Sequence, residues 1–249
     1  MMKLEKNTEF SRYVAKLFVQ YKDKRIHQFT YQNQLFWLKQ PDQLQGVWKL
    51  LKPNPRQALQ HEIRQLQEMN AKNAPVVKLV LFDQDFFVSE DAGRTANLWV
   101  EDKTVDDTFK QQVLNDCADA LAELHKKGFI HGRPALRDMA WHEGKVTFLD
   151  FEEHKDKKNL QWQKVRDCLI FIHGFCRSKS VSTQQMGDTI TYFQQCCEPE
   201  VWQQMLKTVV KYRWLYYLLL PFKPIAKMDL IAAYKLFENL LPQAKRSVG

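Results

Sequence analysis

The chain has 249 residues, with 37 Lys+Arg against 29 Asp+Glu and a formal net charge of +8. At 45% hydrophobic and 27% charged residues it is a globular chain, long enough for a sizeable core, which excludes the disordered, collagen-like and low-complexity classes. The positive charge suits phosphate ligands, anionic membrane surfaces or nucleic acid, and alone selects none of them.

The first ~90 residues read as mixed structure. Phe29-Thr30-Tyr31 and Leu35 to Lys39 are β-prone runs around the turn-prone Gln32-Asn33-Gln34, which predicts a hairpin. Alternation puts Leu35, Trp37 and Lys39 on one face and Phe36 and Leu38 on the other. A helix follows, capped by Asn54 with Pro55 at its first position and striped by Leu59, Ile63, Leu66 and Met69. Glu62 lies inside that stripe, where a carboxylate is costly unless a cation meets it, and Lys39 is the candidate cation. Strands are expected at Val76 to Phe82 and Phe86 to Ser89, then a linker at Glu90-Asp91-Ala92-Gly93. Beyond it the chain turns helical. Phe109, Val113, Cys117, Leu121 and Leu124 mark a long helix, started by Asp107 and closed by Lys126-Lys127-Gly128. Further helices are expected from Leu160 to about Cys176 and, as several pieces, from Thr183 to Leu241. The fold class is α+β: a small β-rich part over residues 1–90 and a larger helical part over residues 91–249.

Chemistry concentrates in Phe129 to Glu153, FIHGRPALRDMAWHEGKVTFLDFEE. His131-Gly132-Arg133 follows the long helix, and Asp138 comes before a Glu143-Gly144 turn and a strand from Val146 to Leu149 that ends at Asp150. Two carboxylates joined by a tight hairpin are suited to converge on one cation, and Mg²⁺ is held by one or two carboxylates plus substrate phosphates. The alternative is that Asp138 and Asp150 each cap a turn.

In this form, HGRPALRD followed by LDFE, the segment resembles the catalytic segment of protein-kinase-like folds, most closely the bacterial lipopolysaccharide-core kinases that act on heptose or Kdo sugars. The resemblance implies a bilobal kinase-like fold binding ATP with Mg²⁺ between its lobes. It implies that Lys39 pairs with nucleotide phosphates and Glu62 orients it. Ser89-Glu90-Asp91 falls at the adenine-contacting hinge, which makes Glu90 a candidate cofactor contact. Asp138 and Asp150 become metal ligands, His131 a structural brace, and Asp167 the helix carboxylate that holds the catalytic loop. The implied acceptor is a sugar hydroxyl of a lipid-linked glycan.

The chain departs from that pattern. Arg133 stands where the family has its catalytic Asp, and a guanidinium cannot accept a proton at ordinary pH, although it can stabilise transferring phosphate charge. Asp138 replaces Asn, which keeps an oxygen ligand, and it is a candidate base. Asp150 is followed by Phe151-Glu152, and the first hairpin turn has no glycine. Two readings therefore stand: a phosphotransferase using Arg133 and Asp138, or a pseudokinase that binds nucleotide or partners without transfer. In the second, Arg133 is expected to pair with Glu152 or Glu153.

Outside this segment, His125 and His173 are read as packing or surface residues. The cysteines number five, have no zinc-ligand spacing, and are read as reduced thiols. No apolar run approaches the ~18–20 residues of a bilayer span, the longest being Trp214 to Leu220, and the N-terminus lacks an apolar signal core. A cytoplasmic protein is expected, with peripheral contact at the inner face of the membrane as an option. Residues Lys211 to Lys223 mix basic, aromatic and leucine side chains, which suits either a membrane interface or a buried helix with charged ends. No nucleic-acid motif is present.

Overall fold

The structure is a computed structural model that describes residues 8–41, 54–151 and 159–246. Glu152 and Glu153 lie outside the described residues. The chain divides into two compact units, Met1–Ala92 and Gly93–Gly249, which are taken in turn.

The first unit opens with helix α1 (Glu9–Gln20), whose Thr8 side chain accepts the Ser11 N–H. Strands β1 (Ile26–Tyr31) and β2 (Gln34–Lys39) form the expected hairpin. Its two turn residues, Gln32 at φ 48° and Asn33 at φ 63°, take the left-handed conformation that a two-residue hairpin turn demands. Helix α2 (Pro55–Ala71) buries Leu59, Ile63, Leu66 and Met69, the stripe read from the sequence, whereas its Asn54 makes no side-chain cap. Strands β3 (Leu79–Phe82) and β4 (Phe87–Glu90) complete an antiparallel sheet of order β1-β2-β4-β3. Phe29, Phe36, Leu38 and Val88 pack with Val14 and Leu17 of α1, so α1 covers one face. Alternation turns Lys39 to the other face, towards α2. There Asn70 ties α2 to the sheet through the Val77 carbonyl and the Leu79 N–H.

The second unit is mainly helical. Short α3 (Ala96–Glu101) leads to α4 (Asp107–Lys126), which is capped by Asp106, one residue before the expected Asp107, through the Phe109 N–H. Its apolar face is buried from Val113 to Leu124, with Phe109 half-buried, and Gly128 leaves it at φ 80°. A 3-10 turn, Leu136–Asp138, feeds the antiparallel pair β5 (Met139–His142) and β6 (Lys145–Phe148). Then come α5 (Leu160–Arg177), α6 (Thr183–Cys196), α7 (Pro199–Lys211), short α8 (Arg213–Leu219) with a 3-10 turn over Leu220–Ile225, and α9 (Met228–Arg246). Helices α5, α7 and α9 pack on one another, and α4 packs on α6 and β6. Phe171, Phe175, Phe193 and Trp202 meet edge to face inside this bundle. Among the described residues no helix is long and apolar enough to cross a membrane.

The segment after Lys211 corrects the expectation of a buried helix. Neither α8 nor the 3-10 turn after it buries any residue. A run of apolar side chains is buried only where another element is there to cover it, and sequence composition carries no information on that cover.

Candidate functional site

Within the first unit, Lys39 Nζ lies 2.7 Å from Glu62 Oε1, with the two side chains 11% and 14% exposed. The pair forms because β2 ends with its inward position at Lys39 and α2 presents Glu62 from the middle of its apolar stripe. The ring of Phe87, directly across the sheet from Lys39, lies 5.7 Å from the ammonium and shields it from water. The Glu90 N–H is spent on the Lys78 carbonyl at 3.0 Å, and its carboxylate is 2.6 Å from Lys78 Nζ. The neighbouring Asp91 gives its N–H to the Leu35 carbonyl, while its Oδ1 accepts the Trp37 indole at 2.6 Å.

Within the second unit, a connected circuit of hydrogen bonds frames residues 131–150. Asp167 on α5, 1% exposed, accepts the His131 N–H at 2.7 Å and the Gly132 N–H at 2.9 Å, and lies 3.4 Å from His125 Nε2. Gly132 takes φ 95°, a conformation that favours glycine and turns the chain so that both N–H groups face one carboxylate. His131 Nε2 is 2.8 Å from the Leu149 carbonyl, and its Nδ1 accepts the Arg133 N–H at 3.3 Å. Those partners assign the neutral tautomer protonated on Nε2. The Leu149 N–H in turn donates to the Asp138 carbonyl at 2.8 Å, continuing the β5–β6 ladder by one step. Asp138 therefore stands opposite Leu149, and Asp150 is the next residue along.

The two carboxylates differ in setting. Asp138 is 8% exposed and is flanked by guanidinium groups, with Arg133 Nε at 3.9 Å and Arg137 Nε at 3.7 Å. Asp150 is exposed and holds φ 51°, a conformation in which Asp and Asn are enriched. The arginines beside Asp138 attract phosphate oxygens and oppose a metal cation there. Among the described residues no three His, Cys, Asp or Glu groups form a metal-ligating cluster.

Sequence reasoning singled out Arg133 and Asp138 but missed Arg137 as a neighbour of Asp138. It also missed a polar groove of about 690 Å³ between α4 and α6, lined by Gln111, Asn115, Asp116, Gln185, Asp188 and Tyr192 among others. Gln111 reaches Thr189 across it, 78 residues away in the chain, a separation over which no local spacing rule operates. Burial pushes the Asp116 carboxyl up, nearby Asp119 adds to this, and the Trp141 indole N–H at 2.6 Å partly offsets it.

No family model matches the sequence. It is similar to a protein of Haemophilus influenzae described as uncharacterized, with 42% identity over 239 residues, spanning 96% of this chain and 99% of that one. At that identity and coverage, the chain belongs to the family of this Haemophilus influenzae protein.

Proposed function

We propose that the protein is a kinase-like, nucleotide-binding protein related to the lipopolysaccharide-core kinases, which takes ATP with Mg²⁺ and transfers phosphate to a sugar hydroxyl of a lipid-linked glycan. The observation that carries this reading is the Asp167–His131–Leu149–Asp138 circuit. It ties the loop to the hairpin end, so that Asp138 and Asp150 stand one residue apart across the ladder.

In this reading Lys39, steadied by Glu62, is the cation for nucleotide phosphates. Asp138 and Asp150 hold the metal, which when bound screens phosphate charge. Arg133 offers a planar fork of donors to a transferring phosphoryl group, a geometry that Lys would not reproduce. Asp138 is the carboxylate available to take the proton of an attacking hydroxyl. The Glu90 and Asp91 N–H groups are already spent within the first unit, so adenine would be met by other groups of that segment.

A second reading is favoured by one observation: the Arg133 guanidinium faces Asp138, one of the two ligand candidates. An internal cation at that place suits a pseudokinase, a module that binds nucleotide or a partner and transfers nothing. Turnover of ATP with lipopolysaccharide-type glycan acceptors, abolished by Asp150→Asn, supports the transferase. Nucleotide binding without turnover on any acceptor supports the pseudokinase, and the absence of both overturns the two readings together.

A further inference from the structure

Helix α7 is an ordinary amphipathic helix that buries Val201, Trp202, Met205, Leu206 and Val209. The chain immediately after it behaves differently. Between Tyr212 and Ile225 large apolar side chains stand in solvent, with Trp214 56%, Phe222 52% and Ile225 78% exposed, and Tyr217, Leu218 and Leu220 beside them. Soluble surfaces rarely gather this many, and a concentration of them marks a site of interaction.

The segment is held in place. The Tyr234 hydroxyl of α9 donates to the Leu219 carbonyl, and the Tyr216 ring meets those of Tyr234 and Phe237. One side of α8 is thus moored to α9 while the other is presented outward on a fixed base.

The charge within it has one sign. Residues 211–228 contain Lys211, Arg213, Lys223 and Lys227 and no acidic residue. Two neighbouring carboxylates are engaged: Asp229 pairs with Arg177 at 2.5 Å, and Glu238 pairs with Lys223. Lys211, Arg213 and Lys227 have no carboxylate partner among the described residues.

We infer that residues 212–225 form a membrane-docking surface for an anionic phospholipid bilayer. Trp and Tyr favour the headgroup level, aliphatic side chains enter the acyl boundary by ~5–10 Å, and flanking Lys and Arg meet the lipid phosphates. A second copy of the chain fits less well, because a two-fold interface sets a patch against itself and here would oppose like charges. This inference does not depend on nucleotide binding.

The test is co-sedimentation of the full chain with vesicles of phosphatidylcholine, with and without phosphatidylglycerol. Binding should be at least about tenfold stronger to the anionic vesicles and should fall at ~1 M salt, where screening extends only about 3 Å. A Trp214→Ser, Phe222→Ser, Ile225→Ser triple variant keeps every charge and alters only exposed positions. It should melt as the wild type does and lose anionic-vesicle binding by at least about tenfold. Equal binding to both vesicle types, no binding, or anionic binding that the triple variant retains would each overturn the inference. A stable dimer by light scattering without lipid, dissociated by the triple variant, would overturn it in favour of self-association.

Discussion

The carboxylate of Asp167 accepts the backbone N–H groups of both His131 and Gly132, at 2.7 and 2.9 Å, from a position 1% exposed to solvent. A helix side chain thereby fixes the loop from which Arg133 and Asp138 project. Replacing it with alanine leaves two buried N–H groups without that acceptor, a loss of about 1–3 kcal/mol for each. Asp167→Ala should therefore melt well below the wild type and Asp167→Asn, which keeps one acceptor oxygen, between the two. Unchanged melting of the alanine variant in scanning calorimetry would contradict this role.

The Lys39–Glu62 pair separates stability from binding. Both side chains are nearly buried, so removing one charge alone costs about 1–3 kcal/mol, whereas replacing both with apolar groups of similar size costs less than the sum. Glu62→Gln and Lys39→Met should each lower the urea midpoint, and the double variant Lys39→Met/Glu62→Leu should recover part of it. If Lys39 meets nucleotide phosphates as proposed, all three should lose ATP affinity, because its ammonium is either gone or misplaced. Additive stability losses, or intact nucleotide affinity in the double variant, would show that the pair does not act this way.

Much of this arrangement was legible in the sequence. The α2 stripe gave the buried face directly, and an acidic residue interrupting it, together with alternation along β2, led to the Lys39–Glu62 contact. The Gln32-Asn33 and Glu143-Gly144 turns were each marked by one residue that tolerates the left-handed region, Asn33 and Gly144, and both turns adopt it. Helix α1 was missed, although Thr8 before Phe10, Val14, Leu17 and Phe18 is a cap followed by helical spacing. The exposed face of residues 212–225 was not legible, since an apolar run has the same composition with or without a neighbour to cover it. Nor was the α4–α6 groove, whose lining comes from helices far apart in the chain.

Arg133 controls the charge that a metal would meet at Asp138. A guanidinium at 3.9 Å opposes a second cation there, and at 40% exposure solvent screens part of that effect. Arg133→Ala should tighten Mg²⁺ binding several-fold in the presence of a non-hydrolysable ATP analogue, as measured by magnesium titration. Arg133→Asp separates the two proposed readings: transfer rises if only a base was missing, and is abolished if the arginine stabilises the transferring phosphate. Magnesium affinity unchanged in Arg133→Ala would show that Asp138 is not a ligand.

The cysteines give a pH-dependent signature of the folded state. Cys117, Cys168, Cys176 and Cys197 are buried, and burial pushes the Cys176 and Cys196 thiols from an ordinary 9.0 up to about 12. Only thiolates react quickly, so Ellman's reagent near pH 8 should stay almost silent on the native protein and count all five thiols in guanidinium. These raised values stabilise the fold fully below the unfolded-state value near 9 and lose that contribution as pH rises towards about 12, so the melting temperature should fall across that window. Rapid labelling of three or more thiols in the native protein would contradict the buried placement.

The central claim, that Asp138 and Asp150 hold a nucleotide-borne cation, is tested most directly by isothermal titration of ATP with and without Mg²⁺ into the wild type and Asp150→Asn. Asn accepts the left-handed backbone at this exposed position, so the variant removes the charge without straining the backbone. The account predicts Mg²⁺-dependent binding by the wild type and a loss of at least about tenfold, ~1.4 kcal/mol, in the variant. Affinity that is the same with and without Mg²⁺, or the same in Asp150→Asn, would contradict it.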